Sequence, residues 1–201
     1  MFKRIFTTLG LLALLSTPAS AAVMYDETTK SLVVSGTTTN YQANKVYKVM
    51  KDKDVLTITL SGAGGNYYAG LRLGVLIREE GSIVIIPSGT TCVSACAFAA
   101  LGGDKVIIDG ELWFHTPYLN SVPTSKTILE IAQMFGRAYV DMTSYLARMD
   151  IPMSFGHDLL VRTTISKFVV IDDGLQIDRM RATESLWVKT IYEYRYATSG
   201  E

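Results

Sequence analysis

The chain has 201 residues, 48% of them hydrophobic, and its 19 basic and 19 acidic side chains leave no net charge at neutral pH. That balance excludes a highly charged disordered segment, and with no basic run present it also excludes the electrostatic footprint of a nucleic-acid binder or a polybasic lipid anchor. The length suits one domain with a substantial core.

The first residues read as an export signal. Lys3 and Arg4 supply a positive end, residues 11–15 an apolar stretch, and Ala19-Ser20-Ala21 a small-residue cleavage site. The stretch is short and soon followed by Pro18, so a stable membrane span is not expected; a retained N-terminal anchor is the alternative. Cleavage after Ala21 leaves residues 22–201, 180 in all, as one domain with 17 basic and 19 acidic residues, net −2. A periplasmic or secreted location follows.

Residues 31–34 predict a short strand with Gly36 as a turn, and residues 40–51 a helix with a stripe of Tyr41, Ala43, Val46, Val49 and Met50. The β-prone run 55–60 ends in a glycine-rich turn, Ser61-Gly62-Ala63-Gly64-Gly65. A helix over 67–80, with Leu71, Val75 and Leu76 on its apolar side, is stopped by Gly81. Residues 82–87 predict a buried strand, followed by a turn at Ser94 and a helix to about residue 101. Short strands at 105–108 and 111–114, a long helix over 127–149, a helix near 155–161 and a strand at 168–171 complete the pattern. Residues 184–196 fit helix or strand. The alternation predicts an α/β fold with a mostly parallel sheet and a site at the carboxyl ends of its strands, where the glycine and serine turns both fall.

Three pieces of this pattern carry chemistry. Ser94 sits at a turn-to-helix junction, where the amide of Ala95 and the helix dipole favour an oxyanion, and it is a candidate nucleophile; a capping serine is the bland alternative. Gly62, Gly64 and Gly65 offer unobstructed amides of the kind an oxyanion hole needs, or form a phosphate loop or a plain turn; no nucleotide-binding glycine motif is present. His115 ends a strand before Pro117 and is the candidate base, whereas His157 reads as a surface or capping residue. Tyr67, Tyr68, Trp113 and Tyr118 fall near these positions and suit an apolar groove or ordinary core. Cys92 and Cys96 suit a disulfide in an exported protein, with two buried thiols as the alternative. Two distant histidines and one cysteine pair make no metal site, and no cofactor is expected.

Taken together, the pieces resemble the serine peptidases of the ClpP/crotonase superfamily, over about residues 33–177. Leu60-Ser61-Gly62-Ala63-Gly64-Gly65 resembles the strand-ending glycine turn of that family, Cys92-Val93-Ser94-Ala95-Cys96 its serine turn, and Trp113-Phe114-His115-Thr116-Pro117 its histidine strand end. The Cys-flanked serine and the signal sequence are closer to an exported branch than to the cytosolic protease subunit. The resemblance implies a single α/β domain of stacked β-β-α units. It further implies Ser94 as nucleophile, His115 as general base, and amides of Gly65 (or Gly64) and Ala95 as the oxyanion hole, with a peptide or protein substrate and homo-oligomers by analogy.

Two departures accompany it. Ala63 stands where the family has proline. The place of the triad aspartate reads Thr164-Ile165-Ser166-Lys167, so Ser166 is the positional match and Asp158 and Asp172 are the nearby acids. A hydroxyl lacks the charge that stabilises imidazolium, which predicts slower chemistry.

Three functions follow from these residues. They are an exported, ATP-independent serine hydrolase acting on peptides, a non-catalytic binding module that has lost the triad acid, and a thiol enzyme using Cys92 or Cys96.

Overall fold

The computed structural model of the chain describes residues 22–118, 124–182 and 195–198. The N-terminal hairpin pairs β1 (Ala22–Asp26) antiparallel with β2 (Ser31–Thr38). In β2, Leu32 and Val34 face the core and their neighbours face outward, as period-two side-chain alternation requires. Helix α1 (Asn40–Asp52) starts at Thr39, whose hydroxyl accepts the Gln42 amide at 3.1 Å, and buries Ala43, Val46 and Met50.

Strand β3 (Thr57–Gly65) is the pivot of the fold. Its first three residues pair in parallel with β4 (Ile83–Ile86), while Gly62 pairs in parallel with Cys92 of β5 (Thr91–Val93). The sheet therefore forks at β3. One branch runs from β4 to β6 (Val106–Ile108), and the other from β5 to β7 (Glu111–Phe114), both parallel. Beyond β7, β8 (Lys167–Ile171) and β9 (Arg195–Thr198) add antiparallel strands. The result is a mixed sheet whose central pairings are parallel, in an α/β fold.

The helices cover this sheet. Asn66 caps α2 (Tyr67–Glu80) by accepting the Ala69 amide at 2.9 Å, and Gly81 ends it at φ 66°. Helix α3 (Ala95–Ala100) is wholly buried, and its alanines let α2 approach until a side chain at Gly70 would meet the Ala95 carbonyl oxygen at 2.3 Å. Thr127 and Glu130 form a capping box at the start of α4 (Ile128–Arg148). Helices α5 (Met153–Arg162) and α6 (Gly174–Arg181) close the remaining face. Tyr145 of α4 donates its hydroxyl hydrogen to the Phe98 carbonyl, tying the long helix to α3. No helix among the described residues is long and apolar enough to cross a membrane.

The sequence reading needs four corrections. The strand expected at 55–60 continues through the glycines, which pair with β2 at Thr37 and Thr38 instead of forming a turn. Gly36, expected as a turn, lies inside β2 at an irregularity in the register. These two deviations are one event, because a side chain at Gly62 would lie 2.0 Å from the Gly36 carbonyl oxygen. The strands β1 and β5 and helix α6 had no expectation. Half of the apolar stripe that the helical period predicts on α4 (Ile128, Ile131, Ala132, Phe135, Tyr139 and Met142) is uncovered, with Ile128 87% and Phe135 43% exposed. Residues 184–194, expected as helix or strand, lie outside the described residues, and β9 begins at Arg195.

Candidate active site

Ser94 joins β5 to α3 with φ 56° and ψ −118°, a conformation that non-glycine residues rarely adopt. Its side chain makes no capping hydrogen bond. The capping alternative for this serine therefore does not describe it. Parallel pairing of β5 with β7 holds the segment: the Ser94 amide donates to the Trp113 carbonyl at 2.7 Å, two residues before His115. The disulfide between Cys92 and Cys96, with Cα atoms 5.2 Å apart, brackets the same residue and ties the end of β5 to the first turn of α3. Both sulfurs are engaged, so neither is available as a thiolate nucleophile.

The glycine end of β3 lies directly against this turn. Gly64 adopts φ +81°, and a side chain there would meet the Val93 carbonyl oxygen at 2.4 Å, the Ser94 Cβ at 2.9 Å and the Ala95 nitrogen at 3.1 Å. Only a residue without a side chain leaves the space beside Ser94 and the Ala95 amide open. Gly65, at φ +144°, faces the other way, toward Thr38, where a side chain would lie 2.5 Å from the carbonyl oxygen. Of the two glycines, Gly64 is the one packed on the serine. Ala95 opens α3, where backbone amides lack partners within the helix.

His115 follows β7 and is 5% exposed. Its ring packs on Tyr118 and edge-on against Phe168, each with centroids 5.2 Å away. Nδ1 lies 2.7 Å from the Thr116 carbonyl oxygen, which places the proton on Nδ1 and leaves Nε2 as the basic nitrogen. Burial pushes the imidazole below its ordinary pKa, and the Thr116 hydrogen bond works weakly the other way. The ring is thus neutral at pH 7, the form a general base needs. Thr116 is itself anchored: its amide donates to Thr163 Oγ1 at 2.9 Å and its hydroxyl to the Leu159 carbonyl at 2.6 Å, both near the end of α5.

None of the three candidates for the third triad position, Ser166 and the acids Asp158 and Asp172, takes the Nδ1 hydrogen bond. Asp158 pairs with Arg162 at 3.1 Å, Asp172 with Arg195 at 3.2 Å, and Ser166 with its neighbour Thr164. His157 is exposed on α5. Neutral hydrogen bonding by a backbone carbonyl occupies the position where an acid was sought. Sequence reasoning missed Thr116 because a carbonyl acceptor has no residue signature.

Ser94, His115 and Gly64 line one cavity of about 660 Å3, whose other walls include Tyr67, Tyr68 and Tyr118. That size suits a small ligand or a few residues of a peptide. Trp113, grouped with these aromatics from sequence, is not part of the wall. It packs on Phe168 at 5.3 Å and donates its indole N–H to Glu111 at 2.7 Å. The far wall comes from Met134, Phe135, Arg137 and Ala138 of α4, none of which the sequence singled out for a site. The one available signal was an apolar stripe longer than the core needs.

No protein-family model matches the chain, and no curated protein matches it. Among solved structures, a point mutant of ClpP1 from Listeria monocytogenes is similar at 18% sequence identity, with 61% of this chain and 73% of that one covered and a TM-score of 0.48.

Proposed function

We propose that the protein is an exported serine hydrolase acting on peptides without ATP, with Ser94 as nucleophile and His115 as general base. The observation that carries this reading is the shared cavity of Ser94 and His115, the serine uncapped in a left-handed turn and the histidine buried and neutral. In the proposed reaction, Ser94 Oγ attacks the substrate carbonyl carbon and His115 Nε2 takes the hydroxyl proton. The developing oxyanion is met by the Ala95 amide, with Gly64 or Gly65 as second donor. Imidazolium then protonates the leaving amine, and a water deprotonated by His115 hydrolyses the acyl-enzyme. With Thr116 supplying a carbonyl dipole where the family has a carboxylate, the imidazolium is less stabilised and turnover is slow.

The same proposal takes residues 1–21 as a cleaved export signal and residues 22–201 as a ClpP-like domain of the exported branch, in the periplasm or outside the cell. The joined Cys92 and Cys96 suit that setting. Homo-oligomers would cover the exposed Ile128 and Leu129 of α4.

Covalent labelling by a fluorophosphonate probe tests the reading. Wild type should label, and Ser94→Ala, folded by circular dichroism, should not. A wild-type protein inert to the probe at every pH between 5 and 9 would sink it. Among the described residues no carboxylate partners His115, which favours a second reading, a binding module without turnover. That reading predicts ligand binding unaffected by His115→Ala and no labelling of either protein.

A further inference from the structure

We propose that the cavity selects peptides presenting a large apolar side chain together with a carboxylate, and that Arg137 on α4 is the residue that selects the carboxylate. The proposal deepens the hydrolase reading and rests on it for the reacting carbonyl.

Aromatic side chains supply much of the cavity wall, beside polar groups such as Asn66 and Thr37. Phe98, 1% exposed, lies at its base, and Tyr67 is held in place by donating its hydroxyl hydrogen to the Ala138 carbonyl at 3.2 Å. Phe135 and Tyr118 present their rings at the rim, 43% and 47% exposed. Against this surface stands a single full charge. Among the described lining residues, Arg137 is the only cation and no carboxylate accompanies it.

Arg137 also forms no salt bridge among the described residues. Its helix neighbour one turn on, Asp141, lines the adjoining groove together with Tyr68. Burial first, and then the Asp141 carboxylate, hold the Tyr68 hydroxyl proton, whereas Arg137 acts on the same hydroxyl in the opposite sense. The guanidinium-bearing Arg137 thus stands in the cavity wall beside Tyr68, with no ion pair to hold it away from a ligand. A guanidinium beside an apolar surface is matched by a carboxylate, which it binds through two parallel hydrogen bonds.

In a peptide the carboxylate has two sources, the C-terminus and an Asp or Glu side chain. The full-length exported protein carrying Ser94→Ala, which cannot turn over, is titrated by fluorescence anisotropy with four labelled Leu-Phe-containing peptides. Two differ only in a C-terminal acid or amide, and two amidated ones differ only in an internal Asp or Asn. The expected result is binding roughly tenfold or more tighter for the acid member of at least one pair, the magnitude of a charge-assisted hydrogen bond. The pair that shows it identifies the source. Adding Arg137→Gln should bring that ratio near one, and Arg137→Lys should keep part of it. Equal binding within both pairs, no binding of any peptide at millimolar concentration, or a ratio that survives Arg137→Gln would each overturn the proposal. Fluorophosphonate labelling of wild type reads the Ser94 chemistry separately. An inert serine with an intact acid-over-amide ratio would remove the hydrolase reading and leave the selectivity standing.

Discussion

His115 Nδ1 lies 2.7 Å from the carbonyl oxygen of Thr116, the residue that follows it. The contact sets the tautomer without introducing a charge, and it leaves burial as the main influence on the imidazole.

A general base works only when neutral. Burial lowers the folded pKa of His115 below the ordinary 6.5, so the acid limb of kcat/KM, or of the labelling rate, is expected below pH 6.5. The sign for stability is the same. Between 6.5 and the folded pKa the unfolded chain binds a proton that the folded chain does not, so this contribution is complete above pH 6.5 and is lost as pH falls through that window. His115→Gln should remove it. An NMR titration of the His115 ring that shows an inflection at or above 6.5 would contradict the assignment of burial as the dominant cause.

Gly64→Ala should be among the most damaging small substitutions. The added methyl meets the Val93 carbonyl oxygen at 2.4 Å and the Ser94 Cβ at 2.9 Å, at a backbone φ of +81°. A cost of about 1–3 kcal/mol is expected from the strained backbone alone, with loss of labelling well beyond the loss of stability. Urea denaturation and probe labelling measured side by side check this. Wild-type labelling rates in Gly64→Ala would mean the glycine end of β3 does not shape the site.

Thr163→Val tests how the histidine is held. The valine removes the oxygen that accepts the Thr116 amide at 2.9 Å and leaves that donor without its partner. Destabilisation of roughly 1–3 kcal/mol is expected. Because the carbonyl of Thr116 orients His115, the labelling rate should fall while peptide affinity is kept. Thr163→Ser should restore both. A uniform loss of affinity and rate would indicate a structural role only.

Replacing both Cys92 and Cys96 with alanine should cost about 2 kcal/mol by the loop-closure estimate for so short a ring. The larger effect is expected at Ser94, which the bridge encloses at φ 56°. Labelling that slows tenfold or more, measured under conditions where the fold is intact, fits this view. Unchanged labelling would show that the neighbouring contacts hold the turn by themselves.

Local patterning made much of this protein legible in its sequence. The helix over about 67–80 was readable because its apolar side and the stop at Gly81 are local signals, and the structure adds the cap at Asn66. The serine turn and the histidine strand end were readable for the same reason. The forked sheet was not, since pairing of β3 with both β4 and β5 depends on contacts between residues about 25 to 30 apart in the chain. For this reason glycines that look like a turn became a strand end. The acceptor on His115 was hidden as well, because a search for acids cannot find a peptide carbonyl. Arg137 entered the cavity wall through the docking of α4, fixed where Tyr145 reaches Phe98, a contact that no periodicity within one helix encodes. Residue types and local spacing determined the chemical groups available, while long-range packing decided which of them meet, because meeting depends on distances that chain order does not carry.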